Sequence, residues 1–242
     1  MAKRNPDSTE PLRVVHATDA NDMAERAAAL LAASADEAIR LRGRAVLALS
    51  GGTTPGPAFR ALAARPIDWG RVHIFQVDER LAPAQSPDRN LTTLTEVFGP
   101  TGATIHAMPV ELGEERMAAS YAARLLETAG DPPRLDAVQL GLGADGHTAS
   151  LFPGDPALSS REPVVLSETH AGWRRLSITL PVINNARSIL WIASGGGKRG
   201  MIARLVDGDR SIPAGLVRRS DAVLVTDVPA DQPGRGVTGR PG

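Results

Sequence analysis

Asp145 and His147 stand two residues apart in the run Gly141-Leu142-Gly143-Ala144-Asp145-Gly146-His147-Thr148. Glycines let a backbone come close to a ligand. In a turn of this kind a carboxylate can orient or charge an imidazole that titrates near neutrality. The chemistry such a pair supplies is general acid–base catalysis, with His147 as the acid–base residue. A surface histidine on a glycine turn is the plainer alternative. The same run fits G-x-G-x-x-G, the dinucleotide fingerprint. That fingerprint needs a crossover helix of several turns, whereas only residues 147–152 can be helical before Pro153, Gly154 and Pro156 interrupt. Glu168 keeps a hydride-transfer reading open, because it follows at about the distance of a ribose-binding acid.

Two other loops suit an anion. Ser50, Gly51, Gly52, Thr53 and Thr54 follow an apolar run and precede Pro55, a good first-turn residue. Backbone N–H groups, hydroxyls and the positive end of a helix dipole at such a turn bind phosphate. An ordinary capped turn is about as good an account of this loop taken alone. Ser194-Gly195-Gly196-Gly197-Lys198 is the second loop, with a cation attached. It departs from a Walker A loop: Ile192 replaces the first glycine and Arg199 the magnesium-binding hydroxyl. Lys198 stands out further because the only other lysine is Lys3. Arg174 and Arg175, ahead of an apolar run, are candidates to complete an anion site. Asp78-Glu79-Arg80 reads equally as a polar substrate contact or a surface ion pair. His16, His73, His106 and His170 read as structural or solvated.

These loops need a frame. Apolar strand-like runs at 12–16, 44–49, 71–77, 135–140, 164–166, 176–180, 189–193 and 222–225 alternate with helical patterns. Asp19 can cap a long first helix with Met23, Ala27, Leu30, Ser34, Ala38 and Leu41 at helical spacing. Further helices are expected after Pro55, over 89–97, over 114–128 and after Gly197. This alternation predicts an α/β fold, a doubly wound and mainly parallel sheet covered on both faces. Ligands in such sheets gather at the carboxyl ends of strands, where every unusual loop of this chain falls. One catalytic domain over residues 1–228 is expected, followed by a flexible Pro/Gly/Arg-rich tail over 229–242.

Composition narrows the partners. The 27 basic and 27 acidic residues cancel, so no global field recruits nucleic acid or an anionic membrane. The absence of cysteine removes disulfides, thiolate metal sites and a cysteine nucleophile. No apolar run is long enough to span a bilayer, and the amino-terminal residues lack a signal-peptide core, so a cytoplasmic location is expected.

Taken together, the Ser50–Pro55 loop, Asp78-Glu79-Arg80 with the 86–90 stretch, and above all LGLGADGHTASLFPG over 140–154 resemble the 6-phosphogluconolactonases of the pentose phosphate pathway. The likeness continues through the run from Arg175 and through Gly197-Lys198, in the same order along most of the chain. Their family also includes glucosamine-6-phosphate deaminases and related isomerases. The resemblance implies a Rossmann-like domain and hydrolysis of 6-phosphogluconolactone, with neither metal nor organic cofactor. It implies a phosphate cradle of Ser50, Gly51, Gly52, Thr53, Arg175 and Lys198, and His147 as catalytic base with Asp78, Arg80 and Asp145 beside it. The partner so implied is a small sugar phosphate, and the expected state is a monomer or weak homo-oligomer. Deaminases of this type place a glutamate five residues after the motif histidine, where this chain has Phe152. A benzene ring cannot shuttle a proton, which disfavours deamination. The other alternative is a sugar-phosphate-sensing module without turnover. The loose match over 86–90 leaves the role of Asn90 open.

Overall fold

The computed structural model describes residues 11–52 and 54–229. The expected tail from 230 onward, residues 1–10 and Thr53 lie outside the described residues. Seven strands form one sheet in the order β1-β10-β9-β6-β2-β3-β5, and every neighbouring pair in it is parallel. They are β1 (Arg13–His16), β2 (Ala45–Leu49), β3 (Val72–Gln76), β5 (Thr104–His106), β6 (Ala137–Leu140), β9 (Ser188–Ala193) and β10 (Ala222–Thr226). Three short strands, β4 (Asp78–Arg80), β7 (Val164–Leu166) and β8 (Arg175–Ile178), make a second, antiparallel sheet ordered β4-β8-β7.

The helices are α1 (Ala20–Arg42), α2 (Gly56–Ala63), α3 (Asn90–Phe98), α4 (Glu114–Ala129), α5 (Leu180–Asn185) and α6 (Arg199–Asp207). Asp19 caps α1 as expected, accepting the N–H groups of Asn21 and Asp22. The buried stripe of α1 runs through Met23, Ala27, Leu31, Ala35 and Ala38, so the expected inward places of Leu30 and Ser34 are only half-buried and Leu41 is exposed. Small alanines let α1 lie close against the sheet and α2.

Strand period sorts the core into two layers. Ala45, Leu47 and Leu49 of β2 pack with α1, α2 and α3, while Val46 and Ala48 face the side of α4, α5, α6 and the small sheet. A strand buried on both faces must be apolar at every position, and β2 is fully buried throughout. Two expectations are corrected. Asp78-Glu79-Arg80 is not the end of β3 but a strand of its own, turned off at Val77 to pair with β8. Residue 180 begins α5 rather than ending β8, because Pro181 fits a first helical turn and cannot donate to a sheet.

Chain direction across the large sheet reverses between β2 and β6. From β2 the chain runs outward through β3 to β5, and from β6 through β9 toward β10. That is a topological switch point, where the loops after two adjacent strands part and leave a crevice. The loops concerned begin at Ser50 and Gly141. No helix among the described residues is long and apolar enough to cross a membrane.

Candidate active site

At the carboxyl edge of the switch point lies a pocket of about 380 Å³, within the ~300–1,000 Å³ span of small-ligand sites. Ser50, Gly51 and Gly52 line it from the β2 loop, Asp78 and Arg80 from β4, His147 from the β6 loop, Arg175 from β8 and Lys198 from the β9 loop. Asn90, Leu142 and Ile192 complete much of its wall.

His147 is held from behind. Its Nδ1 lies 2.5 Å from Asp145 Oδ1, which also accepts the His147 backbone N–H at 3.1 Å. Asp145 does not line the pocket, contrary to a direct substrate contact; it stands behind the ring and fixes the ring's orientation. Partial burial alone would raise the Asp145 carboxyl, but the hydrogen bonds from the His147 backbone and ring, with the charge of His147, bring it below its ordinary value. The turn closes through Gly143 N–H to the His147 carbonyl at 2.8 Å. A Cβ at Gly143 would sit 2.1 Å from His147 Nδ1 and 2.7 Å from Asp145 Oδ1, so a side chain there would push the pair apart. Residues 147–152 do not form a helix but a tight turn with a bridge between Thr148 and Leu151. The crossover that a dinucleotide site requires is thus missing, and Glu168 lies outside the pocket lining.

Asp78 is the second carboxylate, only 6% exposed. Ser150 Oγ donates to its Oδ2 at 2.6 Å and Asn90 Nδ2 approaches its Oδ1 at 3.4 Å. Burial pushes this carboxyl above its ordinary value; the Ser150 hydrogen bond opposes that, Glu79 adds to it, and Arg175 and His147 oppose it. Its neighbour Glu79 is neither substrate contact nor surface ion pair. It is fully buried and accepts the N–H groups of Asn90 and Leu91 at 2.8 and 2.9 Å, the first free donors of α3. Arg89 Nε lies 3.3 Å from its other side. Arg80 sits on the rim, donating to the Asp88 carbonyl at 2.7 Å.

The cationic end is formed by Arg175 and Lys198. Arg175 is 9% exposed, and burial is the main force lowering its basicity, with Asp78 opposing. Lys198 is half-buried and has no ion-pair partner among the described residues. Arg174, the weaker candidate, turns away to pair with Glu114. Ser50 departs from its expected role: its N–H and its hydroxyl both donate to Gln139 Oε1, at 3.1 and 2.7 Å. Those donors secure the loop to β6, while Ser50 still lines the pocket. Thr53 lies outside the described residues.

Several side chains of the site were not read from the sequence. Asn90 Nδ2 donates to the Asp78 carbonyl at 2.9 Å, and a Cβ on Gly51 would fall 2.1 Å from Asn90 Oδ1. Gly51 is therefore the one local signal that another segment passes close by. His170, expected to be bland, stacks on Phe152 with ring centroids 3.8 Å apart. Phe152 meets the His147 ring at 4.6 Å, and the Arg175 guanidinium lies 5.1 Å from its centroid. The remaining histidines fit the structural reading: His16 contacts the Val228 carbonyl, and His73 pairs with His106. No cluster of three His, Asp or Glu side chains among the described residues is arranged to hold a metal ion.

A doubly wound sheet with an imidazole–carboxylate pair and two cations round one pocket at its switch point defines an enzyme acting on a small anionic substrate. Residues 18–226 match the family described as glucosamine-6-phosphate isomerases/6-phosphogluconolactonase, and the chain belongs to that family. It is 38% identical over 185 residues to a 6-phosphogluconolactonase of a Synechocystis species, covering 72% of this chain and 77% of that one. To the 6-phosphogluconolactonase of Streptomyces coelicolor it is 35% identical over 230 residues, covering 86% and 87%. The crystal structure of a 6-phosphogluconolactonase from Shewanella baltica superposes with a TM-score of 0.78 at 27% identity, covering 90% of this chain and 97% of that one.

Proposed function

We propose that the chain hydrolyses 6-phospho-D-glucono-1,5-lactone to 6-phosphogluconate, the ring-opening step of the oxidative pentose phosphate route. The relatives carry that name, and the observation that carries the reading here is the His147–Asp145 pair facing a pocket whose other end is cationic. With Nδ1–H directed at Asp145, the His147 Nε2 lone pair is left for a water molecule. His147 takes a proton from this water as its oxygen bonds to C1, and the carbonyl electrons move onto oxygen. When the tetrahedral intermediate collapses, the bond from C1 to the ring oxygen breaks and the imidazolium returns a proton to that oxygen. Arg175 and Lys198 hold the 6-phosphate together with Gly51 and Gly52, and Arg80 on the rim takes substrate hydroxyls or the oxyanion. Asp78 keeps negative charge between His147 and Arg175, which favours the imidazolium as it forms.

Deamination of glucosamine 6-phosphate is the neighbouring reaction in the family, and Phe152 argues against it by placing an apolar ring against His147. Residues 1–228 act as one catalytic domain in this reading, in the cytoplasm and as a monomer or weak homo-oligomer. The lone large hydrophobic exposed among the described residues, Leu41, fits that state. The test follows proton release from freshly generated lactone by the wild type and by His147→Ala. A loss of ~10²–10⁴ in rate is expected for removal of an acid–base group. Equal rates would remove His147 from the mechanism, and ammonia release from glucosamine 6-phosphate in place of lactone hydrolysis would overturn the assignment.

A further inference from the structure

Behind the pocket, Phe152 is 4% exposed and touches three functional groups at once. One side of it meets the His147 imidazole, with ring planes tilted by 40°. His170 stacks against it nearly parallel, at 17°, and the Arg175 guanidinium also lies against the ring. His170 is itself anchored. Its Nε2 lies 3.2 Å from Asp155 Oδ2, and Asp155 is a buried carboxylate that also accepts Ala157 N–H at 2.8 Å and Glu168 N–H at 2.9 Å. The backbone adds a second connection, Arg175 Nη2 approaching the His170 carbonyl at 3.5 Å.

Asp145 accepts from Nδ1 and so restrains one edge of the His147 ring, but this carboxylate is half exposed. The buried Phe152 ring, tilted by 40° against the imidazole, limits the movement that a solvent-exposed anchor leaves. The same ring meets Arg175, whose Nε has no hydrogen-bond partner and whose position depends on packing. We infer that Phe152 and His170, braced by Asp155, are positioning residues that set His147 and Arg175 at a fixed spacing, coupling the base to the phosphate anchor through one aromatic stack. This rests on the hydrolase reading above. Neither side chain touches the reacting atoms; both act through groups that do.

The consequence is specific. Loosening the stack disturbs the base and the anion anchor together, so kcat falls while KM rises. A residue serving only stability changes the amount of active enzyme and leaves KM and the placement of His147 alone. A misplacement of about 1 Å costs up to ~10²-fold in rate, so Phe152→Leu, which keeps a branched apolar side chain of smaller volume and loses the flat face, is expected to lower kcat by about tenfold and to raise KM. His170→Ala should act in the same direction more weakly, and His170→Gln, with a flat amide that still reaches Asp155, should recover most of the loss.

The experiment measures kcat and KM for lactone hydrolysis in the wild type, Phe152→Leu, His170→Ala and His170→Gln, with active protein counted by the folded fraction. It also follows the His147 imidazole by ¹H–¹⁵N NMR in the two His170 variants, where the Phe152 ring stays and a shift reports a displaced imidazole. Combined kcat and KM changes, a displaced His147 resonance in His170→Ala and rescue by glutamine support the inference. Unchanged KM in folded Phe152→Leu and His170→Ala, with an unmoved His147 resonance in His170→Ala, overturns it. If Phe152→Leu does not fold, the two His170 variants decide by the same criteria. The hydrolase reading fails separately, by wild-type protein that releases ammonia from glucosamine 6-phosphate in place of hydrolysing the lactone.

Discussion

The two ends of the large sheet carry similar charges used in opposite ways. At the amino end, Asp136 collects its neighbours: Oδ1 meets Arg42 Nη2 at 2.8 Å and Arg187 Nε at 3.2 Å, and Oδ2 accepts the Val46 N–H at 2.8 Å. Arg44 donates to the Thr128 carbonyl. At the carboxyl end, Arg175 keeps its charge half-desolvated beside Asp78 without an ion pair, and Lys198 has no partner among the described residues. Asp136, a single carboxylate shared by Arg42, Arg187 and the Val46 N–H, ties the starts of strands β2, β6 and β9 together. Arg175 and Lys198, with no ion pair among the described residues, are the cations that the proposed function assigns to the phosphate. The same inventory of residues therefore yields a clamp at one end and a receptor at the other.

This contrast can be broken at several points. The largest expected effect is at the clamp. Asp136→Ala leaves two guanidiniums and the Val46 N–H without their shared acceptor, and a loss of about 3 kcal/mol of stability is expected, read by denaturant unfolding. The kcat of the folded fraction should stay as in the wild type. A large fall in kcat with little change in stability would mean that the two ends are not separable.

Lys198→Ala tests the receptor. Removing a charge-assisted hydrogen bond to phosphate costs about 1.5–3 kcal/mol, so 6-phosphogluconate should bind roughly ten- to a hundredfold more weakly by calorimetry. Unphosphorylated gluconate should be nearly unaffected. Equal losses for both ligands would take Lys198 away from the phosphate.

The smallest effect concerns Asp78, and its sign distinguishes a receptor from a clamp. Burial raises the folded-state value of this carboxyl above the ordinary 3.8. The native protein therefore binds its proton more tightly than the unfolded chain does, and relative stability falls as pH rises from the unfolded value through the raised one. Asp78→Asn, which cannot ionise, should be more stable than the wild type at neutral pH by about 1 kcal/mol. That advantage should vanish below the ordinary carboxylate range, and activity should drop at all pH values. Thermal unfolding across pH checks this. Destabilisation at neutral pH would place Asp78 with Asp136, as a partner whose charge the fold needs.

Much of this was legible in the sequence because its signals are local. The alternation of apolar runs and helical patterns gave the parallel sheet, and Asp145, Gly143 and His147 lie within five residues of one another in one turn. Asp78, Arg80 and Lys198 fall in stretches expected at the carboxyl ends of strands, and it is the family resemblance that placed them at one site with Arg175. What escaped depends on contacts between distant segments. Ser50 gives its donors to Gln139, which is 89 positions away in the chain. Asn90 fits beneath Gly51, and His170 reaches His147 only through Phe152. The small sheet was legible only in part: the runs that form β7 and β8 were expected as strands, but their antiparallel pairing was not, and β4 exists only because β8 is there to pair with it.

The placing of β6 bears on how the enzyme comes into being. It lies between β2, which precedes it by some ninety residues in register, and β9, which follows. Pairings of such sequence separation are late and slow events in folding. The loops after these three strands, with β4 and β8, make the walls of the crevice, so the pocket depends on pairings between segments far apart in the chain. Lactonase activity is therefore expected to return, on refolding from denaturant, with the slowest phase of native structure rather than in proportion to early helix formation.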